Sequence, residues 1–164
     1  MFIARSAVKG HKLKEQLLKD SGREATMIIA DLSSQDQVKK AAEKFLALDK
    51  PLDILLNNAG IMNRERSETV DGLEEVFSVN HLAYFTFTLT LAEKLKQTEN
   101  SRVINVASGA HQFVKNMNFE DLQSKDNYKP MQVYGQSKLA NILFTKSLST
   151  KLSDFGVTVN CLHP

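Results

Sequence analysis

The sequence is short of several things, and each shortage excludes a class of protein. It holds a single cysteine, Cys161, so no internal disulfide framework can form, and that usage fits a reducing compartment. No apolar run approaches membrane-spanning length, and the N-terminus does not read as a secretory signal. No run of like charge is long enough to be a binding tail, and the formal net charge of only +2 gives no footprint for nucleic acid. The four histidines, His11, His81, His111 and His163, lack metal-ligand spacing, so no metal site is expected. With 7 glycines and 3 prolines there is no Gly/Pro/Ser-rich linker, and neither repeats nor low-complexity segments mark an internal boundary. What remains is an ordinary chain of 164 residues, 42% hydrophobic and 24% charged, long enough for one domain with a real core. The expectation is one soluble, intracellular domain over 1–164, cytoplasmic or on the cytosolic side of a membrane.

What is present is an alternation between two kinds of periodicity. Met1 to Arg5 reads as the end of a strand, and Lys9 to Lys19 as a solvent-washed helix with Leu13, Leu17 and Leu18 on its apolar side. Met27 to Ala30 is a compact apolar strand ending at Asp31. Ser34 with Gln37 forms a capping box for a helix whose face is Val38, Ala41, Ala42, Phe45 and Leu48, closed by Pro51. Asp53 to Leu56 reads as a buried strand running into Asn57-Asn58-Ala59-Gly60. Asp71 and Glu74 are candidate caps for a long helix through Phe77, Leu82, Phe85, Leu89, Leu91 and Leu95. Arg102 to Val106 is another strand, followed by about twenty-five polar residues with weak helical pattern. Val133 to Leu152 is a strongly periodic helix carrying Leu139, Ile142, Leu143, Leu148 and Leu152, and Gly156 to Leu162 is a closing strand. Apolar strands alternating with helices specify a doubly wound α/β fold with a parallel sheet. Ligands in that class bind beyond the carboxyl ends of the strands, where Asp31-Leu32, Asn57 to Gly60 and Ala107-Ser108-Gly109 fall.

Tyr134 and Lys138 stand four apart at the start of a helix, so they share a face. A tyrosine in water has a pKa of about 10, and an ammonium one turn away favours the phenolate, as suits a general acid/base. Ser108, at a strand end, is either a turn or cap serine or a donor to a substrate carbonyl. Asn80 sits mid-helix, where asparagine is unfavourable, and calls for a buried structural hydrogen bond or a place in a proton relay.

Taken together, Asn57-Asn58-Ala59-Gly60, Val79-Asn80-His81, Val103 to Ser108 and Tyr134-Gly135-Gln136-Ser137-Lys138 resemble, in order, the motifs of the short-chain dehydrogenase/reductase family. The stretch Ser137 to Phe144, with Asp71-Gly72-Leu73-Glu74 and Leu162-His163-Pro164, is similar to its retinol-dehydrogenase-like branch. The 26-residue step from Ser108 to Tyr134 (134 − 108) resembles the insertion of that branch. The resemblance implies a Rossmann-like fold and an NAD(P)-dependent oxidoreductase acting on a small-molecule carbonyl or alcohol. It implies Tyr134 as acid/base, Lys138 as its partner and ribose ligand, Ser108 as the group orienting the substrate, and Asn80 as the anchor of a relay water. Asp31 and Leu32 would contact adenine, and Asn57, Ala59 and Gly60 would line the cofactor. Arg5 matches the position that meets the 2′-phosphate in this branch, which puts NADP(H) ahead of NAD(H). The helices around 80–95 and 134–152 are those through which such enzymes form homodimers.

Compared with the family, the chain starts at what would be the second strand and lacks the first strand, its glycine-rich loop and the C-terminal strand. The expectation is therefore two part-sheets with unpaired edges and exposed apolar faces, in a chain that is a fragment, a shortened gene model or a splice product and does not fold into a competent enzyme alone. A truncated, non-catalytic pseudoenzyme that binds a partner is the rival reading.

Overall fold

A computed structural model describes residues 1–164. The element order is β1 (Phe2–Ala4), α1 (Ala7–Ser21), β2 (Met27–Ile29), α2 (Gln35–Leu46), β3 (Ile54–Asn57), α3 (Glu75–Phe77), a π-turn (Ser78–Leu82), α4 (Ala83–Thr90), α5 (Ala92–Gln97), β4 (Arg102–Val106), a 3-10 turn (Gly109–Phe113), α6 (Pro130–Leu152), a second 3-10 turn (Ser153–Phe155) and β5 (Thr158–Leu162). Every strand pair is parallel, as the apolar strands and intervening helices predict. The pairing forms two separate sheets, β1-β2 and β3-β4-β5. Between them runs a cleft of about 680 Å³, lined by Met1, Phe2 and Ile3 on one side and by β3 on the other. The expectation of part-sheets thus holds, and it changes the reading of β3. Ile54 and Leu56 are 59% and 57% exposed because their side of the strand faces the cleft.

The core lies around β3, β4 and β5. Leu55, Val103 and Val159 from the strands pack with Phe87, Leu91 and Leu95 and with Phe144, Leu148 and Leu152. The α2 face of Val38, Ala41, Ala42 and Phe45 is buried as expected. Leu48 is not on it, since α2 stops at Leu46, well before Pro51. Ser34 caps α2 by accepting from Gln37 N, but the reciprocal half of the capping box does not form. Gln37 Oε1 accepts from Asp31 N instead, tying the helix to the end of β2. Asp71 does not cap the helix that follows it. Its carboxylate accepts from Gln35 N at 2.8 Å and so serves α2. Glu74 alone caps α3, accepting from Val76 N and Phe77 N.

The long helix expected after Glu74 is broken into four pieces. The π-turn widens it at Asn80, where Ala83 N–H reaches back five residues to Ser78 O. Val133 to Leu152 is helical as expected, with an earlier start at Pro130, a favoured first-turn residue. Its buried face differs from the leucine pattern: Leu143 is exposed, while Ser137, Lys138, Asn141 and Thr145 are buried.

Candidate functional site

Four strand and helix ends converge at one end of the three-stranded sheet. The Asn57–Gly60 turn leaves β3, Ala107-Ser108 leaves β4, and the π-turn and the first turns of α6 cover both. Gly135 sets the closeness of that packing. A Cβ there would lie 2.7 Å from Ala110 O, so only glycine lets α6 press against the turn that Ser108 begins. The sequence places Gly135 inside the Tyr134–Lys138 motif without giving it a role, although a glycine inside a helix, unfavourable by propensity, was a usable signal.

Lys138 is the centre of the arrangement. It is only 2% exposed, and its Nζ donates to Val106 O at 3.0 Å. The ammonium stands 5.6 Å from the Tyr134 ring centroid and 5.9 Å from that of Tyr84, between two electron-rich faces. Burial pulls its pKa below the ordinary lysine value, since removing water disfavours the charged form. Gly60 lies beside it: a Cβ at that position would meet both Lys138 Nζ and Asn80 Oδ1 at 3.4 Å. Tyr134 is half-buried, as expected of a phenol at the rim of a site.

Asn80, fully buried, answers the choice left open by the sequence. Its Oδ1 accepts from Ile61 N at 2.7 Å, and its Nδ2 donates to Ile61 O and to Ser137 Oγ. Both amide hydrogens are therefore committed to protein, and the side chain is a clamp between the 57–61 turn and α6. Ser137 Oγ in turn donates to Tyr134 O at 2.7 Å. Ser108 proves to be a cap serine, its Oγ accepting from Ala110 N, which leaves its hydroxyl proton to give. Asn57 is buried and donates to Thr88 Oγ1 and Asn105 Oδ1, so its side chain holds the sheet to α4 where the residue lines the cleft. Ala59 O accepts from the buried hydroxyl of Tyr84 at 2.7 Å. Burial pushes the Tyr84 phenol far above its usual range, with Tyr134 adding to the effect, so Tyr84 stays a neutral donor.

The remaining candidates belong to the other sheet. Arg5 is exposed just past β1. Asp31 is half-buried and accepts from the backbone and hydroxyl of Ser33, while Leu32 lines the cleft. Beyond Ser108, the expected polar insertion is pinned to the body. Gln123 accepts from Glu74 N and Arg66 Nε, and Tyr128 donates to Asn63 O. A polar cavity of about 270 Å³ on the insertion, between Asp121 and Gln136, includes none of the site residues. No helix is long and apolar enough to cross a membrane.

A parallel α/β fold with Tyr134, Lys138 and a glycine turn at its strand ends defines a class, and comparison with known proteins gives the same one. The profile of the short chain dehydrogenase family matches residues 1–164, and the chain belongs to that family. Among characterised relatives, it is 41% identical to human retinol dehydrogenase 12 over 166 aligned residues, covering 100% of this chain and 52% of that protein. It is 44% identical over 135 residues to human retinol dehydrogenase 13, covering 82% of this chain and 40% of that protein. The chain thus spans about half the length of the curated relatives it matches. Among solved structures, a blue fluorescent protein from a metagenomic library in complex with NADPH superposes with a TM-score of 0.75 at 27% identity, over 99% of this chain and 62% of that one.

Proposed function

We propose that this chain carries the proton-transfer half of an NADP(H)-dependent oxidoreductase that interconverts a carbonyl and an alcohol. One observation carries the reading: a lysine 2% exposed, beside a tyrosine ring, a glycine turn and the Ser108 strand end. Burying an ammonium is costly, and one bond to Val106 O leaves two of its three N–H donors unmatched. Lys138 and the Cβ-free edge at Gly60 fit a ribose hydroxyl and a flat ring. Ala59 lies on the same turn, and Asp31 and Leu32 would take the adenine end, with Arg5 meeting a 2′-phosphate. A bound nicotinamide dinucleotide would supply or accept the hydride. Ser108 donates to the substrate oxygen, Tyr134 gives or takes the proton there, and the Lys138 charge favours the phenolate left behind. Asn80 keeps the turn and α6 in place. The relatives' names suggest retinoid-like alcohols and aldehydes as the substrate class.

The test is NADPH oxidation with all-trans-retinal and with benzaldehyde. Tyr134→Phe should lower turnover by about 10²- to 10⁴-fold while leaving NADPH binding within a few-fold. Unchanged turnover would refute the assignment. The exposed side chains of Phe85, Leu89 and Leu143 on α4 and α6 further support homodimer formation through these helices. Light scattering should then give twice the chain mass for the wild type and a monomer for Phe85→Lys; a monomeric wild type would exclude the dimer.

A further inference from the structure

The stripe of α6 that bears Tyr134, Ser137 and Lys138 continues to Asn141, which has no part in the chemistry described above. Asn141 is fully buried in a helix interior, where an unmatched carboxamide would be costly. Both its ends are matched, and both partners lie in the π-turn. Its Nδ2 donates to Asn80 O at 2.8 Å, and its Oδ1 lies 3.0 Å from His81 Nδ1. The first bond fixes which way the amide faces. Because its N–H points at Asn80 O, its oxygen points at His81, and a hydrogen bond there requires the proton on Nδ1. The His81 ring is enclosed by Phe77, Phe85 and Phe144, at centroid distances of 5.2, 6.3 and 6.1 Å. That apolar setting keeps the imidazole neutral, burial lowering its pKa against the smaller opposite effect of Asn141.

Resting on the functional reading above, we propose that Asn141 is a positioning residue for the proton-transfer site. Through Asn80 O and the Nδ1–H tautomer of His81, it fixes the π-turn against α6. The turn matters because Asn80 carries the Ile61 backbone on one side and Ser137 on the other. A shift of the π-turn therefore moves Gly60 relative to Lys138, and a displacement of about 1 Å in such a site can cost on the order of 100-fold in rate.

The experiment compares the wild type with Asn141→Leu, Asn141→Asp and Tyr134→Phe by ¹⁵N-edited NMR of the histidines and by steady-state kinetics per folded molecule. The wild type should show neutral His81 protonated at Nδ1. Asn141→Leu should lose that signature and lower kcat by about 10- to 100-fold, with KM for NADPH within about threefold. If Asn141→Leu does not fold, Asn141→Asp takes its place, since it keeps an acceptor for His81 but offers no N–H to Asn80 O; kcat should again fall while the Nδ1–H signal stays. Protonation of wild-type His81 at Nε2 overturns the proposal. So does kcat per folded molecule that is unchanged in the variants, which would make Asn141 a stability residue only. Tyr134→Phe separates the two readings: if it keeps turnover, the chemistry assigned to the site is wrong, whereas an inactive Tyr134→Phe beside a fully active Asn141 variant removes only the positioning role.

Discussion

The two halves of the molecule bury different things. In the half built on β3, β4, β5 and α6, the long helix encloses ten of its residues, among them Ser137, Lys138, Asn141 and Thr145. In the half built on β1 and β2, helix α1 encloses only Gly10, and Val8, Leu13 and Leu18 stay exposed. Polar groups can be buried only where partners wait for them. The first half supplies such partners in an unbroken series: Thr88, Asn57, Asn105, Thr145 and the Asn141 carbonyl, linked by bonds of 2.7–2.9 Å. That series crosses from α4 through two strands to α6, and it ends on Asn141, one turn along the helix from Lys138. The second half offers backbone edges and apolar surface around the cleft, and it positions no proton-transfer group.

The contrast can be broken by mutating one strand residue on each side of β3-β4. Val103 has no exposure, so Val103→Asp should cost about 4 kcal/mol or more and abolish cooperative unfolding. Leu56 points into the cleft, and Leu56→Lys should change stability by less than about 1 kcal/mol. Urea titrations of both variants check the pair; equal losses would mean that the cleft is closed in solution. A finer probe is Gly135→Ala. The added methyl meets a backbone carbonyl that cannot move aside, and it should cost about 1–3 kcal/mol. The same titration should be paired with turnover, which should fall with it, because α6 is pushed away from the Ser108 turn.

Much of this was legible from residue order. The strand Arg102–Val106 is where alternation and β-branching place it, and the Ser34 cap and the α2 face follow from local spacing. Tyr134 and Lys138 share a face because four residues make one turn. Less legible were the roles of Asn80, Asn57 and Asp71, whose partners lie between 19 and 57 residues away in the chain. The exposure of Ile54 and Leu56 was hidden for a related reason. An apolar strand looks the same whether its edge is paired or open. Gly135, by contrast, carried a local signal, because a helix-interior glycine needs a reason.

The Tyr134–Lys138 spacing, the glycine turn after β3 and the parallel α/β order are set by the sequence alone, since each depends on short-range periodicity and backbone freedom. Only the tertiary structure decided that Lys138 would be sealed between two tyrosine rings, that Asn80 would be a clamp, and that Asn141 would join it. The physical reason is the same in each case. A buried polar group is worth what its partner makes it, and the partners come from segments that meet only when the chain folds.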